Sequence, residues 1–226
     1  MACYVTAYLD ISRDSWTHYR RTYDEYFVCF KPLLKLVRET NNELIVFLDT
    51  KHVKSFPPAQ NVTVVPIDLE WMNQLPMWKT LPREKEIMMS AHLQSLIPEN
   101  RKACPETWCA EYTLMNHCKV EFINYVIKHK LTVKDYLSWI DFGFFKNESL
   151  IPRRLPLLTA IDESKITYQL LNPITDPMIT IETLLREAPE LVAGSWFMGR
   201  RNVFIRYIDI YRDELKKLQD QARPYQ

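Results

Sequence analysis

The chain has 226 residues, of which 25% are charged and 47% are hydrophobic, and its formal net charge is +1 at pH 7. These proportions are typical of an ordinary globular protein with a substantial core, so we interpret residues 1–226 as one domain. A net charge so close to zero argues against a broad surface for binding nucleic acid. No apolar run approaches the ~20 residues that span a bilayer, so we expect membrane contact to be peripheral at most.

The cysteines and the N-terminus indicate a reducing compartment. Five cysteines without paired spacing are typical of free thiols. The first residues, Met-Ala-Cys-Tyr-Val-Thr, lack the basic region and apolar core of a signal peptide. We therefore expect a cytoplasmic protein.

Three runs in the first third of the chain predict strands. Residues 2–9, 43–48 and 62–67 are rich in side chains that favour extended structure. Between the first two runs, Ser15 is placed to cap a helix that begins at Trp16. A strand, a helix and a further strand in this order are typical of a parallel α/β sheet.

Residues 113–130 have the clearest helical pattern. At ~100° per residue, one side of this helix carries apolar and thiol side chains, namely Met115, Cys118, Phe122, Ile123 and Val126. Lys119 lies on the same side. A lysine in that position must extend its ammonium to solvent or meet an anion.

The second half of the chain predicts a central strand and further sheet elements. The apolar run Tyr136–Ile140 ends at Asp141. Further strands are expected at residues 155–161, 166–170 and 190–197, and helices at residues 180–187 and 202–221. The predicted fold class is α/β, with a mixed, mostly parallel sheet flanked by helices.

The chain contains only three glycines, Gly143, Gly194 and Gly199. Glycine is useful where the backbone turns sharply or approaches a ligand closely. Gly143 follows Asp141 by two residues, and the other two enclose Ser-Trp-Phe-Met. Our hypothesis is that both stretches line one pocket with Asp141 as its charged centre.

Three carboxylates, Asp10, Asp49 and Asp141, each follow a predicted strand. Ligands of open α/β sheets bind beyond the carboxyl ends of the strands. A carboxylate there can hold a divalent metal, and the metal can hold a diphosphate. We expect Lys119 to face the same phosphates and the backbone near Gly194 to approach a sugar, which favours nucleotide-sugar binding.

Four segments, in this order, carry a family resemblance. They are Val5-Thr-Ala-Tyr-Leu-Asp-Ile-Ser-Arg13, followed by Trp16 and Arg21; Glu111-Tyr-Thr-Leu-Met-Asn-His-Cys-Lys119; Trp139-Ile-Asp-Phe-Gly143; and Ala193-Gly-Ser-Trp-Phe-Met-Gly199. The chain resembles the HtrL/YibB-like family, whose members are similar to GT-A-type glycosyltransferases. The resemblance implies a GT-A-like, Rossmann-like fold, a nucleotide-diphosphate-sugar donor, a Mn²⁺ or Mg²⁺ ion, and a glycan or lipid-linked acceptor.

By this resemblance, Asp141 takes the place of the last carboxylate of the GT-A Asp-x-Asp motif and would bind the metal. We expect Asp141 and Lys119 to act in catalysis. Contacts to the nucleotide sugar are expected from Thr6, Ala7, Tyr8, Arg13, Asp49, Trp139, Ile140, Gly143, Gly194 and Ser195. UDP is the favoured nucleotide because it is the commonest one for donors of such folds.

Several alternatives follow from the same residues. Ser138-Trp-Ile-Asp141 supplies one acid where the motif has two, so a non-catalytic nucleotide-sugar-binding protein is one alternative. A nucleotidyltransferase, which also uses strand-end carboxylates, is another. An inverting transferase needs a carboxylate base near its acceptor, for which Asp162, Asp176 and Glu182 are candidates.

The candidate residues also have structural interpretations. Asp141 and Asp49 could cap turns after their strands. Arg13 could form a surface ion pair of little energetic value. Lys119 could extend its ammonium to solvent rather than meet a phosphate.

Overall fold

The β-rich runs of the sequence form a six-stranded sheet in a computed structural model that describes residues 1–146, 162–173, 180, 183 and 191–221. The strands are β1 (Ala2–Tyr8), β2 (Glu43–Asp49), β3 (Val62–Ile67), β4 (Tyr136–Ile140), β5 (Thr167–Leu170) and β6 (Val192–Arg200). Their order is β3-β2-β1-β4-β6-β5. The first four are parallel, whereas β6 runs antiparallel to both β4 and β5. The predicted α/β class with a mixed, mostly parallel sheet is confirmed.

Helices cover both faces of this sheet. The described α-helices are α1 (Tyr23–Arg38), α2 (Leu69–Met72), α3 (Leu81–Met89), α4 (Ala91–Leu96), α5 (Ala110–His117), α6 (Lys119–Lys128) and α7 (Arg201–Gln221). Successive strand residues point to opposite faces, so β1 divides its side chains between two cores. Tyr4 packs in the core that contains Phe30 of α1, and Val5 packs in the core that contains Phe122 of α6.

The predicted helix start at Ser15 and Trp16 is wrong. Residues 13–15 form a short 3-10 turn, and α1 begins at Tyr23. The reason is a capping box in which the Glu25 N–H donates to Thr22 Oγ1 at 3.3 Å and the Thr22 N–H donates to Glu25 Oε2 at 2.7 Å. This box satisfies two backbone donors at the helix start, and the preceding residues are left as a loop.

The helix predicted over residues 113–130 is interrupted. Cys118 ends α5 and precedes α6, and its ψ of −6° departs from ideal helical geometry. Lys119 is therefore the first residue of α6. This places its side chain beside the carboxyl end of β4, where it contacts Asp141.

The remaining predictions are mostly confirmed in position. The strand near residues 166–170, the strand from about residue 190 and the terminal helix correspond to β5, β6 and α7. The strand expected at residues 155–161 lies outside the described residues, as does nearly all of the helix expected at 180–187. Within the described ranges, no helix combines the length and the apolar character that crossing a membrane requires.

A buried ion pair joins α6 to α7. Arg212 Nε donates to Glu121 Oε1 at 2.8 Å and its Nη2 donates to Glu121 Oε2 at 2.6 Å. The Glu121 side chain is 0% exposed. A buried carboxylate is costly unless it is paired and hydrogen-bonded, so the guanidinium makes this packing possible.

We expect Arg212→Leu to lower the free energy of unfolding by about 3–5 kcal/mol, because the Glu121 carboxylate is then buried without its counter-charge. Urea denaturation measures the change. Lys217→Leu removes an exposed ion pair with Glu214 on the same helix and should cost less than about 1 kcal/mol. An equal loss in both variants would contradict this interpretation. The double variant Glu121→Leu/Arg212→Leu should recover most of the stability.

Candidate functional site

A cavity of about 130 Å³ lies at the carboxyl ends of β1 and β4, and we name it the strand-edge cavity. Ala7 and Tyr8 line it from β1, Trp139 from the end of β4, and Asp141 and Gly143 from the turn that follows β4. The other charged groups in its lining are Arg13 and Lys119. The volume is below the ~300–1,000 Å³ of typical ligand pockets, so this cavity alone does not enclose a drug-sized ligand.

The centre of this cavity is an ion pair. Lys119 Nζ lies 2.8 Å from Asp141 Oδ1 and also donates to the Gly194 carbonyl at 2.9 Å. The same Asp141 oxygen accepts a hydrogen bond from Trp139 Nε1 at 2.6 Å, and the Asp141 N–H donates to the Ser195 carbonyl at 2.9 Å. These bonds join the carboxyl end of β4, the first residue of α6 and the strand β6 to one another.

Arg13 is held by aromatic rings and not by a carboxylate. Its guanidinium carbon lies 5.2 Å from the ring centroid of Trp16, 5.5 Å from that of Tyr26 and 5.3 Å from that of Tyr112. Nε donates to the Tyr19 carbonyl at 2.8 Å. No ion pair joins it to a carboxylate in the described part of the chain. Its charge is therefore positioned but not neutralised.

Gly143 allows a second arginine to approach. A Cβ at this position would lie 2.8 Å from Tyr26 Cδ1 and 3.1 Å from an Arg21 Nη atom. The Arg21 guanidinium lies 4.2 Å from the Tyr26 ring centroid, and it donates to Cys29 Sγ at 2.8 Å. The surroundings of Asp141 therefore hold three cationic side chains, and the excess charge is positive.

Three tyrosines at the cavity are protonated donors at neutral pH. Burial is the main cause that raises the pKa values of Tyr8, Tyr26 and Tyr112 above the ordinary range. Each phenol can donate a hydrogen bond to an anion or to a sugar hydroxyl.

Asp49 and Thr6 lie apart from the cavity. Asp49 is 4% exposed, and its two carboxylate oxygens accept from the Asp10 N–H at 3.1 Å and the Lys51 N–H at 2.9 Å. It therefore acts as a turn cap in this structure. Thr6 is 0% exposed and does not line the cavity.

The other candidates have mixed positions. Ile140 is buried in the core beneath α1. Ser195 contacts Asp141 through its backbone, because its carbonyl accepts the hydrogen bond from the Asp141 N–H. Gly199 pairs with Leu137 of β4, and a Cβ there would be 2.5 Å from Cδ1 of Ile166, the residue that precedes β5. Asp10 pairs with the exposed Lys51 at 2.8 Å. Of the three strand-end carboxylates, only that of Asp141 lines the strand-edge cavity.

A second cavity, of about 400 Å³, adjoins the first. The two cavities share Tyr112, Asn116 and Lys119. We name the second cavity the aromatic cavity. Its remaining lining residues are Glu106, Thr113, His117, Val120, Tyr168, Gly194, Phe197 and Tyr211. The sequence did not predict this cavity, because its rings come from four elements that are far apart in the chain, namely α5, β5, β6 and α7. Gly194 is the one signal that could have indicated it.

His117 is a half-buried neutral group in the wall of the aromatic cavity. Its Nδ1 lies 3.0 Å from the Tyr211 hydroxyl. Burial, with a smaller contribution from the Lys119 charge, lowers the pKa of His117 to about 4. At neutral pH the imidazole is therefore uncharged.

The described residues do not form the metal centre that the resemblance implies. Within the described ranges, no group of three or more His, Cys, Asp and Glu side chains could hold a metal ion. Mn²⁺ and Mg²⁺ prefer several oxygen ligands. Asp141 offers one carboxylate, and Lys119 and Trp139 already donate to one of its oxygens. An ion here would compete with the Lys119 ammonium.

Fold and site together define an α/β protein with a cationic cleft at the carboxyl edge of a mostly parallel sheet. A family model described as "Bacterial protein of unknown function (HtrL_YibB)" matches residues 2–223. The chain belongs to this HtrL/YibB family.

One relative is Protein HtrL of Escherichia coli (strain K12). It is 30% identical over 150 residues, which are 62% of this chain and 50% of that protein. The chain thus spans about half the length of this curated relative.

We expect the half-buried, neutral His117 to make stability depend on pH. The pKa of an unfolded histidine is ~6.5, above the folded value of about 4, so between these values the unfolded chain binds more protons. The contribution of this group is fully present above pH ~6.5 and falls as the pH drops toward 4, with a loss of ~2 kcal/mol at pH 5.

Urea denaturation at pH 7 and pH 5 measures this effect. The variant His117→Gln should lose less stability between the two pH values than the unmodified chain does. His18 is exposed, so His18→Gln should leave the difference unchanged. An undiminished difference in His117→Gln would contradict the assignment.

Proposed function

We propose that this protein is a GT-A-like glycosyltransferase that uses a nucleotide-diphosphate sugar, with UDP as the favoured nucleotide. The observation that carries the proposal is the strand-edge cavity, in which Lys119 and the unneutralised Arg13 lie at the carboxyl ends of central parallel strands. This is where open α/β sheets bind nucleotides. A diphosphate is the group that such a cationic centre recognises best.

In the proposed reaction, the bond between C1 of the donor sugar and the diphosphate oxygen breaks, and the electron pair leaves with the diphosphate. An acceptor hydroxyl forms the new bond to C1, and its proton passes to an oxygen of the departing diphosphate. Arg13 and Lys119 would stabilise the charge that develops on the leaving diphosphate. The Tyr8 and Tyr26 phenols are placed to donate further hydrogen bonds.

The metal is not part of this proposed reaction. The sequence resemblance implies Mn²⁺ or Mg²⁺, whereas the described donor set is one carboxylate paired with an ammonium. We therefore propose that protein cations supply the charge that a divalent ion would bring.

The acceptor is proposed to be a glycan or a lipid-linked sugar. The cytoplasm is the proposed location, because all five cysteines are free thiols. A nucleotidyltransferase is less well supported, since its metals require two or more acids. The second candidate is a non-catalytic nucleotide-sugar-binding protein, which the engagement of the single acid by Lys119 favours.

We expect Arg13→Gln to weaken nucleotide-diphosphate binding by about 10- to 100-fold, the equivalent of the ~1.5–3 kcal/mol of hydrogen bonds to charged groups. Isothermal titration calorimetry with UDP, GDP and CDP measures the affinities. Arg20 is an exposed arginine of the same loop that does not line the cavity, so Arg20→Gln is the matched control and should change them little. Absence of binding by all three nucleotides would overturn the proposed function. Binding without turnover of any donor sugar would favour the second candidate.

We expect Asp141→Asn to leave UDP affinity unchanged or to increase it, because the change removes a negative charge and releases Lys119 to the phosphates. A metal-centred site would lose binding instead. The titrations are made in EDTA and in MnCl₂, with Asp10→Asn as the same change at a strand-end acid outside the cavity. Binding that requires Mn²⁺ and disappears in Asp141→Asn would refute the protein-cation interpretation.

A further inference from the structure

The aromatic cavity has the composition of a site for a sugar ring. Tyr168 stacks on Phe197 with ring centroids 5.0 Å apart and an interplanar angle of 26°. Tyr211 lines the same cavity. Pyranose rings have an apolar C–H face and polar edges, and tyrosine combines an apolar face with a hydroxyl. The volume of about 400 Å³ lies within the range of small-molecule sites.

Polar groups occur at the edges of this cavity. Glu106 supplies a carboxylate, and Asn116 and Thr113 supply an amide and a hydroxyl. Few convergent polar groups around an apolar wall are typical of sites that orient a neutral ligand. A neutral His117 in the wall adds no charge that would favour an anion. Lys119 lines both cavities, and the strand-edge cavity adds the charge of Arg13.

Gly194 lines the aromatic cavity where β6 has open space beside its backbone. Tyr168 of β5 pairs with Phe197, but Gln169 pairs with Ala193, so residues 194–196 bulge out of the β5–β6 ladder. A Cβ at Gly194 would meet no atom within 4 Å. The space beside Gly194 is therefore unfilled, although its carbonyl is held by Lys119 at 2.9 Å.

We propose that the aromatic cavity binds a pyranose ring of the acceptor, with its reacting hydroxyl directed toward Lys119 and the strand-edge cavity. The acceptor role rests on the proposed glycosyltransferase function, whereas the sugar binding itself does not. Because both cavities include Lys119, Asn116 and Tyr112, a ring in one cavity adjoins an anion in the other.

The test uses ligand-observed saturation-transfer NMR with methyl glycosides of glucose, galactose, mannose and N-acetylglucosamine. At least one should receive saturation from the unmodified protein. In Gly194→Phe the new ring fills the cavity, so this transfer should fall at least fivefold. Gly194→Ala adds a Cβ to open space and should retain it. Circular dichroism and the melting temperature check that both variants fold.

UDP calorimetry on the same samples separates the two proposals. A further variant, Tyr168→Ala, removes a ring of the aromatic cavity and leaves Arg13, Lys119 and Gly194 unchanged. It should keep the nucleotide affinity within about twofold while the saturation transfer to the glycoside falls. Lack of transfer to every glycoside, or transfer that persists in Gly194→Phe, overturns the sugar-binding inference even if UDP binds. Loss of UDP binding in all samples, with glycoside binding retained, overturns the proposed function and leaves the sugar site supported.

Octyl β-D-glucopyranoside, used below its critical micelle concentration, separates the two sources of a sugar acceptor. Tighter binding than methyl β-D-glucopyranoside, lost in Gly194→Phe, supports a lipid-linked acceptor. Equal binding of the two, also lost in that variant, supports a glycan end. Octyl glucoside binding that Gly194→Phe does not affect counts against a site in the aromatic cavity.

Discussion

The ion pair between Lys119 and Asp141 is the interaction on which the site depends. Lys119 begins α6 on the side that packs against the sheet, and its side chain is only 11% exposed. An ammonium so far removed from water needs an anion and further acceptors, and Asp141 Oδ1 and the Gly194 carbonyl provide them. The Asp141 amide is bonded to Ser195. The Lys119–Asp141 pair and these hydrogen bonds therefore fix the start of α6, the end of β4 and the bulge in β6 relative to each other.

This pairing changes what the strand-end carboxylate can do. A carboxylate with open coordination attracts a divalent ion, but one that already accepts from an ammonium and an indole has a large part of its charge compensated. Arg13 remains without a carboxylate partner among the described residues and is positioned by three rings. The uncompensated charge of the cavity lining is therefore positive, and this charge supports the proposal of an anionic ligand. Asp141 pairs with a cation of the protein itself, the Lys119 ammonium, and the divalent ion that the resemblance implies stays a prediction.

The sequence predicted those features that depend on local patterns. The strands Val62–Ile67 and Tyr136–Ile140 are observed at their predicted bounds. Short runs of β-favouring residues flanked by polar residues specify strands. The position of Lys119 on an apolar helix side indicated an anion, and Asp141 is that anion. Asp49 could not be distinguished from Asp141 by pattern, since both follow strands. Only the tertiary structure shows that backbone N–H groups occupy both oxygens of Asp49. The aromatic cavity depends on a register shift between β5 and β6, which side-chain periodicity does not encode.

The Lys119 ammonium lines both cavities, and this couples the hydrogen bonds of one cavity to those of the other. Lys119 Nζ bonds to Asp141 at the strand-edge cavity and to the Gly194 carbonyl at the aromatic cavity. The ammonium has a third N–H that an anion can accept, and an anion that displaces the ammonium further lengthens one of these two bonds. Lengthening the bond to Asp141 leaves a partly exposed carboxylate that water can solvate, since that side chain is 34% exposed. Lengthening the bond to Gly194 leaves a backbone carbonyl available to a hydroxyl in the aromatic cavity. In either case the occupancy of one cavity changes the hydrogen bonding offered in the other.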